Sequence, residues 1–316
     1  MAKTLSEIAP GDHACVVMDS DEQHWEVAAG YVAGGLAHGE KIFYYDGGRS
    51  TEPLMRRLRE DNVDVARHIR TRQLTVVPPE VTNRLWTLRV DELSAMVSQK
   101  VGEALREGYS GVRIAEEPTG TKHLPNGHTV AEYDRALQYS LRGRPITLLC
   151  QYERADWSAR ALDELCANHH IKLITPAIYD DGLLRVTRQG TFRTRVAGEV
   201  DFSNRHLIRG VIERELDAAL RAAETSREIS VHLESLRFAD VTAVVQFVQA
   251  AEAFPESHKL VLYDAHPQLR RVMDKCGAAF TTQLSLRDRR DHDDRDEIDD
   301  DDADQEDWAE PLEGTL

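Results

Sequence analysis

The sequence has few of the features that define several common protein classes. Only 4 of its 316 residues are cysteines and none forms a Cys-x-x-Cys pair, which argues against a disulfide framework and favours reduced thiols in a cytoplasmic protein. No apolar run approaches the roughly 18 residues of a membrane helix, and the first ten residues lack the uninterrupted apolar segment of a secretion signal. We therefore expect a protein that has no contact with membranes.

The sequence also lacks an excess of positive charge. The chain has a net charge of −16, and residues 287–316 alone contribute −11, with 4 basic against 15 acidic residues. The remaining 35 basic and 40 acidic residues nearly balance, so the basic face of a nucleic-acid-binding protein is missing and we expect no direct contact with nucleic acid. The segment 287–316 is too poor in apolar residues to order itself and is predicted to be a disordered acidic tail. It is interpreted as a solubilising extension, with a polyanion that shields a basic partner surface as the alternative.

A phosphate-binding loop is missing as well. The loop after the first predicted strand, 19–25, contains no glycine and no Lys-Ser/Thr pair, so its backbone amides cannot cradle a phosphate. Its acidic side chains would repel a triphosphate. No Gly-x-Ser-x-Gly nucleophile elbow occurs either. The sequence thus predicts no enzyme, although a nucleotide-binding enzyme in the first part of the chain is kept as an unfavoured alternative.

What the sequence does contain is a regular alternation of strand and helix patterns between about residues 10 and 187. Short apolar runs such as 14–18, 41–45 and 145–150 predict strands, whereas 22–38 and 91–106 show apolar residues at helical spacing. This alternation is typical of a mainly parallel sheet with helices on both faces. We predict an α/β domain over residues 10–187.

A second, smaller α/β unit is predicted over residues 191–286, with the boundary near Gly190. Strands are expected at 192–196, 199–202, 229–233 and 260–263. Ser203 or Asn204 is a plausible N-cap for the helix that follows. The last helix begins at Pro267 and ends at Gly277, as Pro-first and Gly-last preferences favour.

Three segments of this second unit resemble the STAS domain of anti-sigma factor antagonists. Residues 198–201 (Gly-Glu-Val-Asp) resemble the opening Gly-x-hydrophobic-Asp motif, and 238–243 (Phe-Ala-Asp-Val-Thr-Ala) resemble the switch motif Phe-x-Asp-Ser-Ser-Gly. Residues 260–277 resemble the closing strand and helix. The order and spacing of all three make the resemblance specific.

The resemblance implies a regulatory interaction with a kinase-like anti-sigma factor. In this family the second hydroxyl residue of the switch is phosphorylated, and Thr242 occupies that position beside the acid Asp240. The chain departs from the motif at Val241 and Ala243, which replace Ser and Gly. The alternative is that Asp240 is only an N-cap and Thr242 only a helix-start residue. The predicted partner-binding residues are Asp201, Asp240, Val241, Thr242, Ala243 and Val245.

Phosphorylation of Thr242 would be a strong electrostatic change. A phosphate adds about −1.5 to −2 charges, and a helix N-terminus tolerates it. A like charge about 4 Å away at an effective dielectric of about 20 costs roughly 4 kcal/mol. At an interface, this is close to a thousandfold in affinity.

The first unit resembles the MEDS sensory domain, which is similar to RecA-like ATPase folds. The segments that carry the resemblance are 11–15, 35–45, 107–113 and 147–152. The family implies ligand sensing, and the ligand expected is an unidentified small molecule. Ligands of such sheets bind in a crevice at the carboxyl ends of the strands. The candidate ligand-binding residues, at or near predicted strand ends, are His13, Asp46, Glu116, Glu117 and Tyr152.

We expect neither a metal nor another cofactor. His13 and Cys15 alternate on a strand, and Cys166, His169 and His170 have helical spacing, but a helix end with a buried cysteine and exposed histidines is the simpler interpretation. The prediction is therefore a ligand-sensing anti-sigma factor antagonist. The alternative is a scaffold of a stress-signalling complex, in which the STAS unit binds other STAS units or forms a homo-oligomer.

Overall fold

The computed structural model describes residues 1–48, 51–118, 129–222 and 227–288. The predicted acidic tail therefore lies outside the described residues from position 289 onward. Arg287 is still part of the last strand, where its guanidinium contacts the carboxylate of Glu228 at 2.7 Å.

The first half of the chain forms a seven-stranded sheet in which every pair of neighbouring strands is parallel, in the order β1-β7-β2-β6-β5-β3-β4. Its strands are β1 (Ala2–Lys3), β2 (His13–Met18), β3 (Lys41–Tyr45), β4 (Leu74–Val77), β5 (Val112–Glu116), β6 (Ile146–Glu153) and β7 (Ile171–Leu173). The helices between them are α1 (Asp21–Ala37), α2 (Glu52–Glu60), α3 (Val65–Arg70), α4 (Pro79–Leu85), α5 (Val90–Arg106), α6 (Val130–Leu141) and α7 (Ala159–Ala167).

Because a parallel sheet is covered on both faces, its strands alternate between two cores. The core on the α1 and α2 side contains Val16, Ile42 and Leu149. The core on the α5, α6 and α7 side contains Ile114 and Cys150. The predicted α/β fold with a mainly parallel sheet is confirmed.

The connection between β2 and α1 is too short to hold a phosphate loop. Strand β2 ends at Met18 and α1 begins at Asp21, so only two residues separate them. Ser20 is the N-cap of α1, and its hydroxyl accepts a hydrogen bond from the amide of Gln23 at 3.2 Å. The amide of Gln23 is thus engaged by one of the chain's own residues.

The second half forms a mixed sheet in the order β14-β13-β11-β10-β9-β8, with β12 also paired to β10. Strand β9 runs antiparallel to both of its neighbours, β8 and β10, and the other pairs are parallel. The strands are β8 (Tyr179–Asp180), β9 (Leu184–Gly190), β10 (Arg193–Val200), β11 (Glu228–His232), β12 (Leu236–Ala239), β13 (Lys259–Tyr263) and β14 (Leu284–Arg287). The helices are α8 (His206–Arg221), α9 (Val241–Glu252) and α10 (Pro267–Lys275). This sheet therefore starts at Tyr179, before the predicted boundary near Gly190.

Two local predictions in this unit are wrong. The two strands expected at 192–196 and 199–202 form the single strand β10, because Gly198 adopts a φ of +99° at a register shift instead of breaking the strand. Helix α8 has Arg205 as its N-cap, without a side-chain cap hydrogen bond. Asn204 is fully buried and uses its amide instead to donate to Asp181 and to the carbonyl of Glu199.

Gly198 is a position where only glycine fits. An added Cβ would lie 2.0 Å from the carbonyl oxygen of Leu183, and the φ of +99° is unfavourable for any side chain. We expect Gly198→Ala to lower the free energy of unfolding by about 2 kcal/mol or more, measured by urea denaturation. The control is Gly210→Ala in α8, where a Cβ meets no atom within 4 Å, and helix propensity predicts a gain of up to about 1 kcal/mol. Equal effects of the two substitutions would contradict this expectation.

Buried arginines of the second unit hold it against α1 and α2 of the first. Arg195 is 2% exposed and contacts Asp61 of the first unit together with Glu234 of its own unit. Arg185 donates to Glu26 Oε2 at 2.6 Å. Because buried guanidinium groups need charged partners, these pairs fix how the two units meet. In the described part of the chain, no helix combines the length and apolarity needed to cross a membrane.

Candidate functional site

The predicted switch is the turn between β12 and α9. Asp240 is the N-cap of α9, and its Oδ1 accepts a hydrogen bond from the amide of Ala243 at 2.7 Å. Its Oδ2 accepts from Arg205 Nη1 at 2.9 Å. The capping that the alternative interpretation expected is therefore present, and it fixes the first turn of α9 in place.

The first turn of α9 presents its hydroxyl to solvent. Val241 is 62% exposed and Thr242 is also exposed. Ala243 is completely buried, so its predicted contact with a partner is not available: the third helical residue faces the sheet. Val245 is half-buried at the edge of this surface. Among the described residues, nothing covers the side chain of Thr242.

A second segment lies beside this turn. The amide of Asp240 donates to the carbonyl of Val200 at 2.9 Å, which brings the end of β10 next to the start of α9. Asp201 follows, and its Oδ1 accepts from the amide and hydroxyl of Ser203; these hydrogen bonds lower the pKa of Asp201. Phe202 is 77% exposed and Phe238 is 51% exposed on the same two segments. Several exposed large apolar side chains on neighbouring segments are typical of interaction surfaces.

The switch turn is connected to the first unit through Arg237. This β12 residue forms an ion pair with Glu22 in the first turn of α1 and lies 3.7 Å from Glu199. Arg237 precedes Asp240 by three residues. A displacement of α1 would therefore act directly on the strand that leads into the switch.

The five predicted ligand residues do not form one pocket. His13 and Glu116 both contact Cys150, whose Sγ lies 3.4 Å from His13 Nε2 and 3.1 Å from Glu116 Oε1, so these two lie on one face of the sheet. Asp46, just after β3, accepts a hydrogen bond from the amide of Gly48 at 2.9 Å. Glu117 points toward α1, and Glu116 and Tyr152 point toward the opposite face. Consecutive residues alternate across a strand, so Glu116 and Glu117 cannot share a pocket.

On the α1 side, Glu117 belongs to a buried cluster around His24. His24 Nε2 lies 2.9 Å from Glu117, and its Nδ1 lies 2.9 Å from Glu153. The hydroxyl of Tyr44 also donates to Glu117. Burial lowers the pKa of His24, but hydrogen bonds and charge attraction from the two carboxylates outweigh it and raise the pKa to about 9. An imidazole that faces carboxylates on both nitrogens is a double donor, and therefore a cation.

On the opposite face, Glu116 accepts a hydrogen bond from Cys150 Sγ at 3.1 Å. Burial raises the pKa of Glu116 to about 7. Tyr152 lies next to this pair, with its ring centroid 6.1 Å from that of His169. Burial lowers the pKa of His13 to about 3, so His13 is neutral here. This face holds a second polar cluster, separated from His24 by the sheet.

The four segments that carried the sequence resemblance of the first unit meet at Arg113. Its Nε donates to Glu40 Oε2 at 2.6 Å, and Glu40 Oε1 accepts from the hydroxyl of Thr147 at 2.7 Å. That hydroxyl also accepts from the amide of Gly11 at 3.1 Å. A Cβ on Gly35 would lie 2.5 Å from Arg113. Gly35, Glu40, Arg113 and Thr147 are all buried, so these motif residues build the interior of the domain.

Sequence reasoning did not identify His24, Glu153, Asp134 or Cys150 as candidates for the first unit. His24 lies within the helix predicted at 22–38, where a polar residue reads as solvent-facing. The position of His24 on the apolar face of the predicted helix was the one indication in the sequence that this side chain is buried. Glu153 and Cys150 belong to a strand whose predicted end, residue 150, was too early.

Comparison with known proteins identifies both units. A family model described as the MEthanogen/methylotroph, DcmR Sensory domain (MEDS) matches residues 12–170. The chain belongs to the MEDS family. A second family model, the STAS domain, matches residues 184–288, so both resemblances inferred from the sequence are confirmed.

Comparisons with individual proteins add little. No curated protein matches this chain. Among solved structures, the chain is similar to the flagellar accessory protein FlaH from Methanocaldococcus jannaschii, with 9% sequence identity over 59% of this chain and 78% of that chain. The TM-score of 0.38 is too low to support an argument about either fold or function.

Proposed function

We propose that this MEDS–STAS protein is a sensory signalling regulator of the anti-sigma factor antagonist type, which acts by binding and not by catalysis. Its STAS unit binds a kinase-like anti-sigma factor through the first turn of α9, and its MEDS unit senses a small ligand. The observation that carries the proposal is the exposure of Thr242 and Val241 directly after Asp240, the residue that caps α9.

The chemistry of the turn supports regulation by phosphate. Thr242 is the second residue of α9, where the helix dipole tolerates a negative charge. The carboxylate of Asp240 lies in the same turn and already engages Arg205 at 2.9 Å. A phosphate on Thr242 thus adds charge beside an existing acid, and the combined charge opposes a partner that docks on Asp240.

The contact between α1 and β12 supports a route from sensing to binding. Glu22 pairs with Arg237 from the STAS unit, and Glu26 pairs with Arg185. His24, between these two acids, is completely buried in the ionic cluster of the MEDS sheet. We propose that a ligand which rearranges that cluster shifts α1, and with it the strand that ends at the switch turn.

A charge on Thr242 is expected to weaken the complex with a kinase-like anti-sigma factor. Thr242→Glu introduces one negative charge into a contact surface, and we expect affinity to fall tenfold to a hundredfold, corresponding to about 1.4–2.8 kcal/mol. Thr242→Ala should bind like the native protein and resist phosphorylation. Isothermal titration of each full-length variant with an anti-sigma factor encoded beside this gene measures both affinities.

Thr282→Glu is the matched control. Thr282 is exposed and precedes β14, so it lies at the amino edge of the parallel strands, away from the switch at their carboxyl edge. The Thr282→Glu variant introduces the same charge and should bind the anti-sigma factor with the affinity of the native protein. Equal affinities for the Thr242→Ala and Thr242→Glu variants would exclude the phosphate switch, and failure of every such partner to bind the native chain would exclude the antagonist function.

A further inference from the structure

Four side chains that commonly bind metal ions converge on the α5, α6 and α7 side of the MEDS sheet. His13 begins β2, Asp134 lies in α6, Cys150 lies in β6 and His169 lies between α7 and β7. One donor atom from each residue lies within 4.8 Å of the other three. Cys150 and the side chain of His169 are completely buried, and the side chain of Asp134 is 5% exposed.

The distances between these donor atoms match the edges of a small coordination polyhedron. His13 Nε2 lies 3.4 Å from Cys150 Sγ and 3.5 Å from Asp134 Oδ1. Cys150 Sγ lies 3.9 Å from Asp134 Oδ1. His169 Nε2 lies 3.8 Å from Oδ2, the other oxygen of the same carboxylate. In a tetrahedral zinc site with bonds of about 2.0–2.3 Å, neighbouring donors are about 3.3–3.8 Å apart. A metal ion fits after small side-chain adjustments.

The hydrogen bonds of the cluster leave an electrostatic conflict. His169 Nδ1 donates to the carbonyl of Leu165 at 3.0 Å, so its Nε2 is the nitrogen that faces Asp134 Oδ2, at 3.8 Å. Among the described residues neither Nε2 nor Oδ2 has a hydrogen-bond partner. A buried imidazole nitrogen and a buried carboxylate oxygen that face each other without a hydrogen bond need a proton or a cation between them.

We propose that His13, Asp134, Cys150 and His169 form a binding site for one divalent transition-metal ion, with Zn²⁺ as the preferred ion. Imidazole and thiolate ligands favour Zn²⁺ over Mg²⁺ or Ca²⁺, and a mixture of nitrogen, sulfur and oxygen donors is usual for zinc. Four protein ligands leave no open position for substrate, so the ion has a structural role. It ties α6 and the α7–β7 turn to strands β2 and β6.

Binding requires the thiolate of Cys150, so its proton must leave. Glu116 Oε1 already accepts the hydrogen bond from this thiol at 3.1 Å, and it takes the proton when the sulfur–metal bond forms. A cleft of about 450 Å³ is lined by His13 and His170, and the ion enters the site from this cleft. Sequence spacing could not reveal this site because its ligands are spread over positions 13, 134, 150 and 169.

The site is tested on the full-length protein after treatment with a chelator. Zn²⁺ is titrated in competition with a chromophoric chelator, and Co²⁺ is used as a spectroscopic probe for sulfur–metal charge transfer. We expect one ion per chain and a sulfur–cobalt band. Cys150→Ser should remove the band. Cys150→Ser and the isosteric Asp134→Asn should each weaken Zn²⁺ binding by tenfold to a hundredfold or more, because even the loss of a second-sphere contact reduces metal affinity by about this factor.

Two neighbours provide matched controls. Cys166→Ser changes a second buried cysteine of the same core, which faces Cys15, and His170→Gln changes the exposed neighbour of His169. Both should bind Zn²⁺ like the native chain. The proposal is overturned if the native chain binds less than one ion, or if the Cys150→Ser and Cys166→Ser variants show the same affinity and the same cobalt spectrum. In that case a shared proton resolves the conflict. The test needs no anti-sigma factor, so its outcome is independent of the proposed function.

Discussion

Replacement of Glu40 by alanine is expected to lower the free energy of unfolding of the MEDS unit by about 3–5 kcal/mol. Glu40 and Arg113 have side chains that are 1% and 2% exposed, and they are joined by a hydrogen bond of 2.6 Å. Removing the carboxylate leaves a buried guanidinium without its counter-charge. The Tyr31 carbonyl, 3.0 Å from Arg113 Nη1, cannot supply that charge.

Urea denaturation followed by tryptophan fluorescence measures this loss, because Trp25, Trp86 and Trp157 all lie in the MEDS unit. Glu164→Ala is the matched control: Glu164 pairs with Arg160 at 3.0 Å on an exposed helix surface, where a pair is worth at most about 0.5 kcal/mol. The double variant Glu40→Met/Arg113→Met should be more stable than Glu40→Ala, since no charge remains buried. A loss below about 1 kcal/mol for Glu40→Ala would show that the pair is not a structural requirement.

The second large effect is a loss of stability at alkaline pH that depends on His24. Its pKa of about 9 in the folded protein exceeds the ordinary value of 6.5. A raised pKa stabilises the folded state fully below about pH 6.5, and this contribution disappears as the pH rises to about 9. The difference of roughly 2.5 pKa units corresponds to about 3 kcal/mol.

The measurement compares the native chain with His24→Gln in urea denaturation at several pH values. The stability advantage of the native chain should shrink by about 3 kcal/mol between pH 6.5 and pH 9. His206→Gln changes an exposed histidine and should leave the pH profile unaltered. An NMR titration of His24 with a midpoint near 6.5 would refute the assignment of a buried imidazolium.

The STAS unit shows how far local patterns reach. The order of segments from Gly198 through Thr242 to Gly277 was sufficient to recognise the domain, since each segment has a fixed place in the chain. The single strand β10 was not predicted, because a glycine with positive φ interrupts a sequence pattern without interrupting hydrogen bonds. The burial of Ala243 next to the exposed Thr242 was decided by how α9 packs on the sheet.

The MEDS unit shows where local patterns fail. Strand ends were predicted well enough to choose Glu116 and Glu117, but their positions on opposite faces depend on where β5 ends. The His24 cluster and the cluster at Cys150 each combine residues from several elements. Residues that contact each other in these clusters, such as His24 and Glu153 or His13 and Asp134, are more than 90 positions apart in the sequence. No rule based on sequence spacing connects them.

By itself the sequence determined the α/β class, the order of the two units and the position of the turn that leads into α9, because hydrophobic periodicity and short motifs are properties of neighbouring residues. Only the tertiary structure decided which polar residues are buried together, how α1 contacts β12 and which side chains of the switch face solvent. Those features depend on strand register and on helix rotation about the sheet, and contacts between residues distant in sequence set both.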